Sequence, residues 1–143
     1  NKMTILITVC FDIIHVGHVE LFQFAKKVFT NDTIIVAVDT DKRVAESKGS
    51  NRPINNFTNR IILLQMLGLG SIHCDISIDA DLIDLCKKEN PIRIIGSDYR
   101  DKPIIGEEYC KAIVFFPRIE EYSTTNIIEK INENSSLNSG YLP

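Results

Sequence analysis

Two histidines flank a glycine in the segment Cys10-Phe-Asp-Ile-Ile-His-Val-Gly-His18. A glycine lets a phosphate group approach the backbone closely, and the unpaired N–H groups at a helix start attract anions. At such a start, the imidazoles of His15 and His18 would add two more donors on one side of the helix. The segment therefore predicts a site that binds phosphate groups.

The elements around this segment must place it at the junction of a strand and a helix. Thr4–Val9 is an apolar, β-rich run typical of a strand buried on both faces. Between residues 17 and 29 apolar side chains recur at helical spacing, and Thr33–Asp39 is a second buried strand. Residues 4 to 39 are therefore predicted to form one βαβ unit.

Strands and helices continue to alternate in the remaining chain. This order predicts a doubly wound, Rossmann-like α/β fold, which is a parallel sheet with helices on both faces. The fold is expected to form a single domain over residues 1–143. Residues 1–3 are interpreted as an expression scar or the start of an excised domain, and residues 134–143 as a polar, frayed tail. A long functional loop is predicted from Thr40 to Asn55. It is followed by a helix that is capped by Asn56 or Thr58 and ends at Leu67, a strand from His73 to Ile78, and a helix from Ala80 to Glu89 that is capped by Asp79. The last predicted elements are strands at Ile92–Gly96 and Ala112–Phe116 and a helix opened by Ser123-Thr124-Thr125.

Composition excludes several classes of function. The formal net charge of the 143 residues is -3, so no basic field favours a nucleic-acid backbone. The apolar runs are far shorter than the roughly 20 residues that span a bilayer, and no signal segment is visible. The four cysteines form no C-x-x-C pair and are interpreted as reduced core thiols. We expect a cytoplasmic protein without a nucleic-acid or membrane partner.

Ligands of such sheets bind at the carboxyl ends of the strands. Further polar residues that follow predicted strands are therefore candidates for the site, and each of them also has a purely structural explanation. Lys48 would be a solvated loop charge, Arg60 a surface residue of a helix, Gly96-Ser-Asp-Tyr99 a turn without a ligand, and Ser123 an N-cap only.

The block Phe11-Asp12-x-x-His15-x-Gly17-His18, with Ser123-Thr124-Thr125 before the last helix, resembles the nucleotidyltransferase superfamily. The resemblance runs from Thr4 to about Ile131 and is nearest to glycerol-3-phosphate cytidylyltransferases and heptose 1-phosphate adenylyltransferases. Lys48-Gly-Ser-Asn-Arg-Pro53 is similar to the heptose type, whereas Arg118 before Ser123 is similar to the cytidylyl type. Ser97, Ile119 and Glu121-Tyr122 depart from the family patterns. The nucleotide base and the acceptor therefore stay open.

The resemblance implies transfer of a nucleoside monophosphate from CTP or ATP to a phosphorylated polyol or sugar, with release of pyrophosphate. The product would be an activated precursor of a surface polysaccharide, a teichoic-acid-like polymer or a lipid. Mg²⁺ would bridge the phosphates without an assigned side-chain ligand, and the chain would pair into a homodimer. The implied site residues are His15, His18, Lys48 and Arg118 for catalysis, Cys10, Phe11, Asp12, Gly17, Gly96, Asp98, Tyr99, Ser123, Thr124 and Thr125 for the nucleotide, and Arg52 and Arg60 for substrate or phosphate.

Two other classes of function compete with an enzyme. A nucleotide-binding module without turnover would act as a sensor or a scaffold, and a protein-interaction domain would leave the phosphate-type donors unexplained. Within the enzyme hypothesis, Asp12 is not expected to act as a general base, because the attacking phosphate is already ionised at neutral pH. We expect it to bridge to the turn or to the substrate.

Overall fold

The structure, a computed structural model, describes residues 2–30, 32–117 and 124–137. Strands and helices alternate along this part of the chain, with a 3-10 turn before and another after the loop around residue 103. In chain order the elements are β1 (Thr4–Val9), α1 (Val16–Val28), β2 (Thr33–Asp39), α2 (Asp41–Lys48), α3 (Phe57–Met66), β3 (Ile72–Ile76), α4 (Asp79–Glu89), β4 (Ile92–Gly96), the 3-10 turns Ser97–Tyr99 and Glu107–Tyr109, β5 (Ala112–Phe116) and α5 (Thr124–Leu137).

The strands form one parallel sheet in the order β3-β2-β1-β4-β5. The order reverses between β1 and β4, because the chain first builds outward through β2 and β3 and then returns to the other side of β1. At such a switch point the two neighbouring strands lead to connections on opposite faces, which opens a crevice at their carboxyl ends. The predicted doubly wound α/β fold is confirmed.

Alternate residues of β1 enter two separate cores, one on each face of the sheet. Ile5 and Ile7 pack in the cluster that contains Phe22 of α1. Leu6 points to the opposite face and packs in the cluster that contains Leu82 of α4. Both faces of the sheet are therefore covered by helices, as the buried apolar run of β1 predicts.

The prediction of one long loop from Thr40 to Asn55 is wrong, because α2 occupies its first half. The Oγ1 of Thr40 accepts a hydrogen bond from the backbone N–H of Arg43 at 3.4 Å and caps the helix. Gly49 follows the helix with a φ of 113°, a conformation that favours glycine. Val44 is the buried residue of this helix, and a helix with so narrow an apolar face lacks the periodicity that would reveal it.

Smaller corrections concern the ends of three elements. β3 runs from Ile72 to Ile76 rather than from His73 to Ile78. The carboxylate of Asp81, not that of Asp79, accepts hydrogen bonds from the backbone before α4. The last helix continues to Leu137, so residues 134–137 are helical instead of frayed. The predicted cap Asn56 is confirmed, since its side chain accepts from the backbone N–H of Asn59 at 2.9 Å.

Candidate active site

A cavity of about 690 Å³ opens at the carboxyl ends of β1, β2, β4 and β5. Its volume lies within the range of roughly 300 to 1,000 Å³ that is typical of small-molecule sites. The start of α1 forms one wall, and the loop around Pro103 forms another. The predicted site residues that line the cavity are Cys10, Phe11, His15, Gly17, His18, Lys48, Arg52, Gly96, Tyr99 and Thr125.

The two histidines cap the first turn of α1. Nδ1 of His15 accepts a hydrogen bond from the backbone N–H of Gly17 at 3.1 Å, and Nδ1 of His18 accepts one from the backbone N–H of His15 at 3.2 Å. A ring nitrogen that accepts a hydrogen bond carries no proton, so the proton of each neutral imidazole is on Nε2. The cap thereby makes Nε2–H the donor that each ring presents.

Packing fixes the orientation of these rings. The ring centroids of His15 and His18 are 4.0 Å apart, and His18 also packs on Phe11 at 5.2 Å. His18 is 6% exposed. Phe11 has a φ of 57°, an uncommon value for a residue with a large side chain, in the turn between β1 and α1. The turn and the rings therefore form one packed unit over the end of β1.

Asp12 lies behind this turn and does not line the cavity. It is fully buried, and its carboxylate accepts from Nε of Arg52 at 2.7 Å and from the backbone N–H groups of Ile54 and Asn55 at 2.8 and 2.9 Å. The side chain of Asn55 donates to the backbone carbonyl of Asp12 at 2.8 Å. Asp12 thus ties the 52–55 segment to the turn, and through it positions Arg52 at the cavity wall.

Arg60 is also placed behind the cavity wall, neither on the surface nor among the lining residues. It is fully buried and donates to the carbonyls of Cys10 and Asn55 at 3.0 Å and to the carboxylate of Asp41 at 2.8 Å. These bonds join α3, the start of α2 and the end of β1. The predicted contact of Arg60 with substrate stays a prediction, and its described partners are all in the protein.

The cavity wall at the end of β2 combines opposite charges. Nε of Arg43 lies 3.2 Å from the carboxylate of Asp39, and its Nη1 lies 2.9 Å from that of Asp79. Burial raises the pKa of the Asp39 carboxyl above its ordinary value, against the opposing effect of Arg43. Burial likewise raises the pKa of the Cys10 thiol, so this side chain lines the cavity as a neutral thiol.

Several predicted residues are only partly described or lie outside the described residues. Arg118 and Ser123 fall in the gap between residues 117 and 124, Thr124 begins α5, and for Asp98 only the backbone is described. Gly96, Tyr99 and Thr125 line the cavity on the β4 and β5 side. The catalytic role of Arg118 and the nucleotide contacts of this group therefore stay predictions.

The cavity is also lined by residues that sequence reasoning did not select as site residues, among them Thr8, Asp39, Arg43 and Arg93. Arg93 carried the clearest signal, because it interrupts the apolar run Ile92–Ile95 of a buried strand. The other three are polar residues at or just after strand ends, where many solvated side chains also occur. Only the position of the strand ends around one crevice distinguishes them.

No group of three or more His, Cys, Asp or Glu side chains among the described residues could hold a metal ion. No helix in the described ranges is long and apolar enough to cross a membrane.

Two histidines thus cap a helix start over the crevice of a parallel sheet, the place where doubly wound α/β domains bind their ligands. Residues 6–130 match the cytidylyltransferase-like family, and the chain belongs to this family. The resemblance stated from the motifs is therefore confirmed, and the chain is a nucleotidyltransferase domain.

Named relatives are similar over most of this chain but are much longer. The "Bifunctional protein HldE" of Helicobacter hepaticus is 36% identical over 127 residues, which are 87% of this chain and 26% of that protein. The protein of the same name from Marinomonas is 37% identical over 131 residues, 86% of this chain and 26% of that protein. The chain thus spans about a quarter of the length of these relatives.

A solved structure supports the fold. The crystal structure of the lipopolysaccharide core biosynthesis protein from Thermoplasma volcanium is similar with a TM-score of 0.60 and 22% identity. The match covers 86% of this chain and 100% of that chain. At this identity the likeness concerns the arrangement of strands and helices.

Proposed function

We propose that this domain transfers a nucleoside monophosphate from CTP or ATP to a phosphorylated polyol or sugar. An oxygen of the acceptor phosphate attacks the α-phosphorus of the nucleotide. The bond from the α-phosphorus to the oxygen that bridges to the β-phosphorus breaks, and pyrophosphate leaves with the electron pair. One observation carries the proposal: His15, Gly17 and His18 at the start of α1 line the same cavity as Lys48.

The residues suit a reaction that needs positioned donors more than a nucleophile. Transfer of this kind is accelerated mainly by orientation and by neutralisation of charge on the phosphate oxygens. The Nε2–H groups of His15 and His18 would bind the triphosphate at the positive end of the α1 dipole, and Lys48 would add a cation. Gly96 and Tyr99 would lie at the base, by analogy with the family.

By analogy with the family, a Mg²⁺ ion would arrive with the nucleotide. Mg²⁺ is commonly held through substrate phosphates and at most a few carboxylates, and the described residues contain no cluster of metal ligands. When bound, the ion would neutralise charge on the phosphates. The cytoplasmic location and the homodimer stay predictions.

The decisive experiment measures pyrophosphate released from CTP and from ATP, each with a panel of phosphorylated polyols and sugars. Release that depends on one acceptor supports the proposal and identifies both substrates. Nucleotide binding without release under any condition would favour the alternative of a binding module without turnover. Neither binding nor release would remove the proposed function altogether.

The same site predicts stabilisation by the nucleotide. A ligand that binds only the folded state, at about a hundred times its Kd, adds about 2.7 kcal/mol to the free energy of unfolding. For a domain of this size that corresponds to a rise in Tm of roughly 5 °C or more. Differential scanning calorimetry with Mg²⁺ and either CTP or ATP measures the rise, and a parallel scan without Mg²⁺ is the control. An unchanged Tm with both nucleotides would contradict the assignment of the site.

A further inference from the structure

Arg93 is a buried cation in the wall of the cavity. It lies in β4, its side chain lines the cavity, and the residue is 4% exposed. Its Nη2 and Nε donate to Oγ1 of Thr8 on β1 at 3.1 and 3.4 Å, and its Nη1 donates to the carbonyl of Ile105. The guanidinium is therefore oriented by neutral groups, namely the oxygens of Thr8 in β1 and Ile105 in the following loop and the side chain of Cys110.

No described carboxylate balances the charge of Arg93. In the described part of the chain the other strongly buried arginines, Arg52 and Arg60, each form an ion pair with an aspartate, whereas Arg93 forms none. Burial raises the pKa of the nearby Cys86 thiol to about 12, so this thiol is neutral near pH 7 and supplies no counter-charge. Burial also lowers the pKa of Arg93 from its ordinary value, although an arginine stays protonated in proteins.

A buried cation without a counter-charge is costly, and an anionic ligand would remove that cost. Thr8 and Ile105 take three of the five N–H donors of the guanidinium, and the Cys110 side chain is a further partner, so one or two N–H groups remain for a ligand. A phosphate oxygen accepts strong, charge-assisted hydrogen bonds from such a cation. The feature therefore indicates a phosphate rather than a hydroxyl or an apolar group.

The position of Arg93 separates it from the histidines. Arg93 is in register with Leu6 of β1, whose side chain belongs to the core on the α4 face of the sheet. The α1 helix and its capping histidines lie on the opposite face. The cavity therefore offers two cationic or donor-rich walls, one at the start of α1 and one at Arg93, which meet over the end of β1.

We infer that Arg93 binds the phosphate group of the acceptor, while the start of α1 binds the triphosphate. The inference rests on the proposed function and names the acceptor side of the same site. Two anions must approach each other for the reaction to occur, so each needs its own cation or donors. The residues of the ion pairs between Arg43 and the carboxylates of Asp39 and Asp79 also line the cavity, and they would face the hydroxyl groups of the acceptor.

Inorganic phosphate is the probe for this subsite. It is titrated by calorimetry in the presence of the α,β-methylene analogue of ATP or CTP, which occupies the nucleotide site and cannot release pyrophosphate. The Kd for phosphate should rise about ten- to a hundredfold in Arg93→Met, because the cation and its charge-assisted hydrogen bonding to phosphate are lost. The Kd of Arg93→Lys for phosphate should lie between the values of the parent and of Arg93→Met. Arg100→Met, at an exposed arginine outside the cavity lining, is the matched control and should bind as the parent does.

Two results would overturn the inference. If Arg93→Met binds phosphate as tightly as the parent, Arg93 only anchors the loop at Ile105. If phosphate and the analogue exclude each other at a single site, Arg93 belongs to the triphosphate and not to the acceptor. Once the acceptor is known, Arg93→Met should raise its KM about ten- to a hundredfold and change the KM of the nucleotide by less than about threefold.

A measurement on the parent protein covers the case in which Arg93→Met does not fold. The NMR signal of the Arg93 Nε–H group, assigned by its absence from Arg93→Lys, should shift in a saturable way with phosphate. A signal that does not move would overturn the inference. If phosphate shifts this signal but neither CTP nor ATP binds or reacts, the anion site stands and the proposed function fails. The two failures are thereby distinguishable.

Discussion

His18→Ala is expected to lower kcat by about 10² to 10³, with a much smaller change in the affinity for the nucleotide. In the structure the Nε2–H group of His18 is oriented by the bond of Nδ1 to the backbone N–H of His15 and by packing on Phe11. A donor fixed in this way needs no reorganisation when charge develops on the α-phosphate and the leaving pyrophosphate. The positive end of the α1 dipole and the cation of Lys48 would still attract the phosphates of the ground state.

The loss of activity must be separated from a loss of stability. Alanine at position 18 leaves the backbone N–H of His15 without its cap acceptor, which costs typically about 1 kcal/mol. Melting curves show whether the variant is folded at the assay temperature. His73→Ala is the matched control, because His73 lies on β3 outside the cavity lining and bonds through Nε2 to the carbonyl of Leu69 at 2.8 Å.

Steady-state kinetics on both variants decide the role of the histidine. The control should keep the kcat of the parent. If His18→Ala keeps kcat within about threefold of the parent, His18 is not part of the catalytic centre.

Arg118→Ala, outside the described residues, is expected to weaken nucleotide binding as well, because a guanidinium also clamps phosphates in the ground state.

The regular part of the fold could be predicted because its signals are local. Thr4–Val9 and Thr33–Asp39 are continuous apolar runs, and a helix pattern with a glycine at its start separates them. Those features specify a buried βαβ unit without knowledge of any distant contact. They also place His15 and His18 at the edge of the sheet where ligands bind.

The remaining features depend on contacts between distant parts of the chain. α2 buries Val44 and otherwise shows the composition of a loop. Asp12 is expected to bridge to the turn or to the substrate, and its partners Ile54 and Asn55 are more than forty positions away in the sequence. Arg93 interrupts an apolar run in the sequence, but its bond to Thr8 becomes evident only when β4 is known to neighbour β1. Pairing of strands that are far apart in sequence is not encoded in a local pattern.

The prediction for Asp12 concerns stability. Asp12→Asn is expected to lower the free energy of unfolding by about 3 to 5 kcal/mol. Asparagine has nearly the same shape, but it removes the negative charge beside Arg52, whose side chain is 10% exposed. Its NH₂ group also meets donors where the carboxylate accepted hydrogen bonds.

Urea unfolding of the parent and the variant measures this loss. Asp84→Asn removes an exposed carboxylate of α4 and is the matched control, with an expected change within about 0.5 kcal/mol. A change in Asp12→Asn as small as in the control would contradict the role of Asp12 as the anchor of the 52–55 segment.

The pKa of Asp12 gives this stabilisation a defined dependence on pH. Burial by itself would raise the pKa of the carboxyl, but the hydrogen bonds from Asn55, Ile54 and Arg52 outweigh burial and lower the pKa below its ordinary value. Because the pKa is lower in the folded than in the unfolded state, the stabilisation is complete above the unfolded value of about 3.9 and is lost as the pH falls through the folded value. The difference in unfolding free energy between the parent and Asp12→Asn should therefore be constant between about pH 5 and 7 and should shrink below about pH 4. If the difference at about pH 3 equals that near pH 7, the charge of the carboxylate is not what holds the 52–55 segment against the turn.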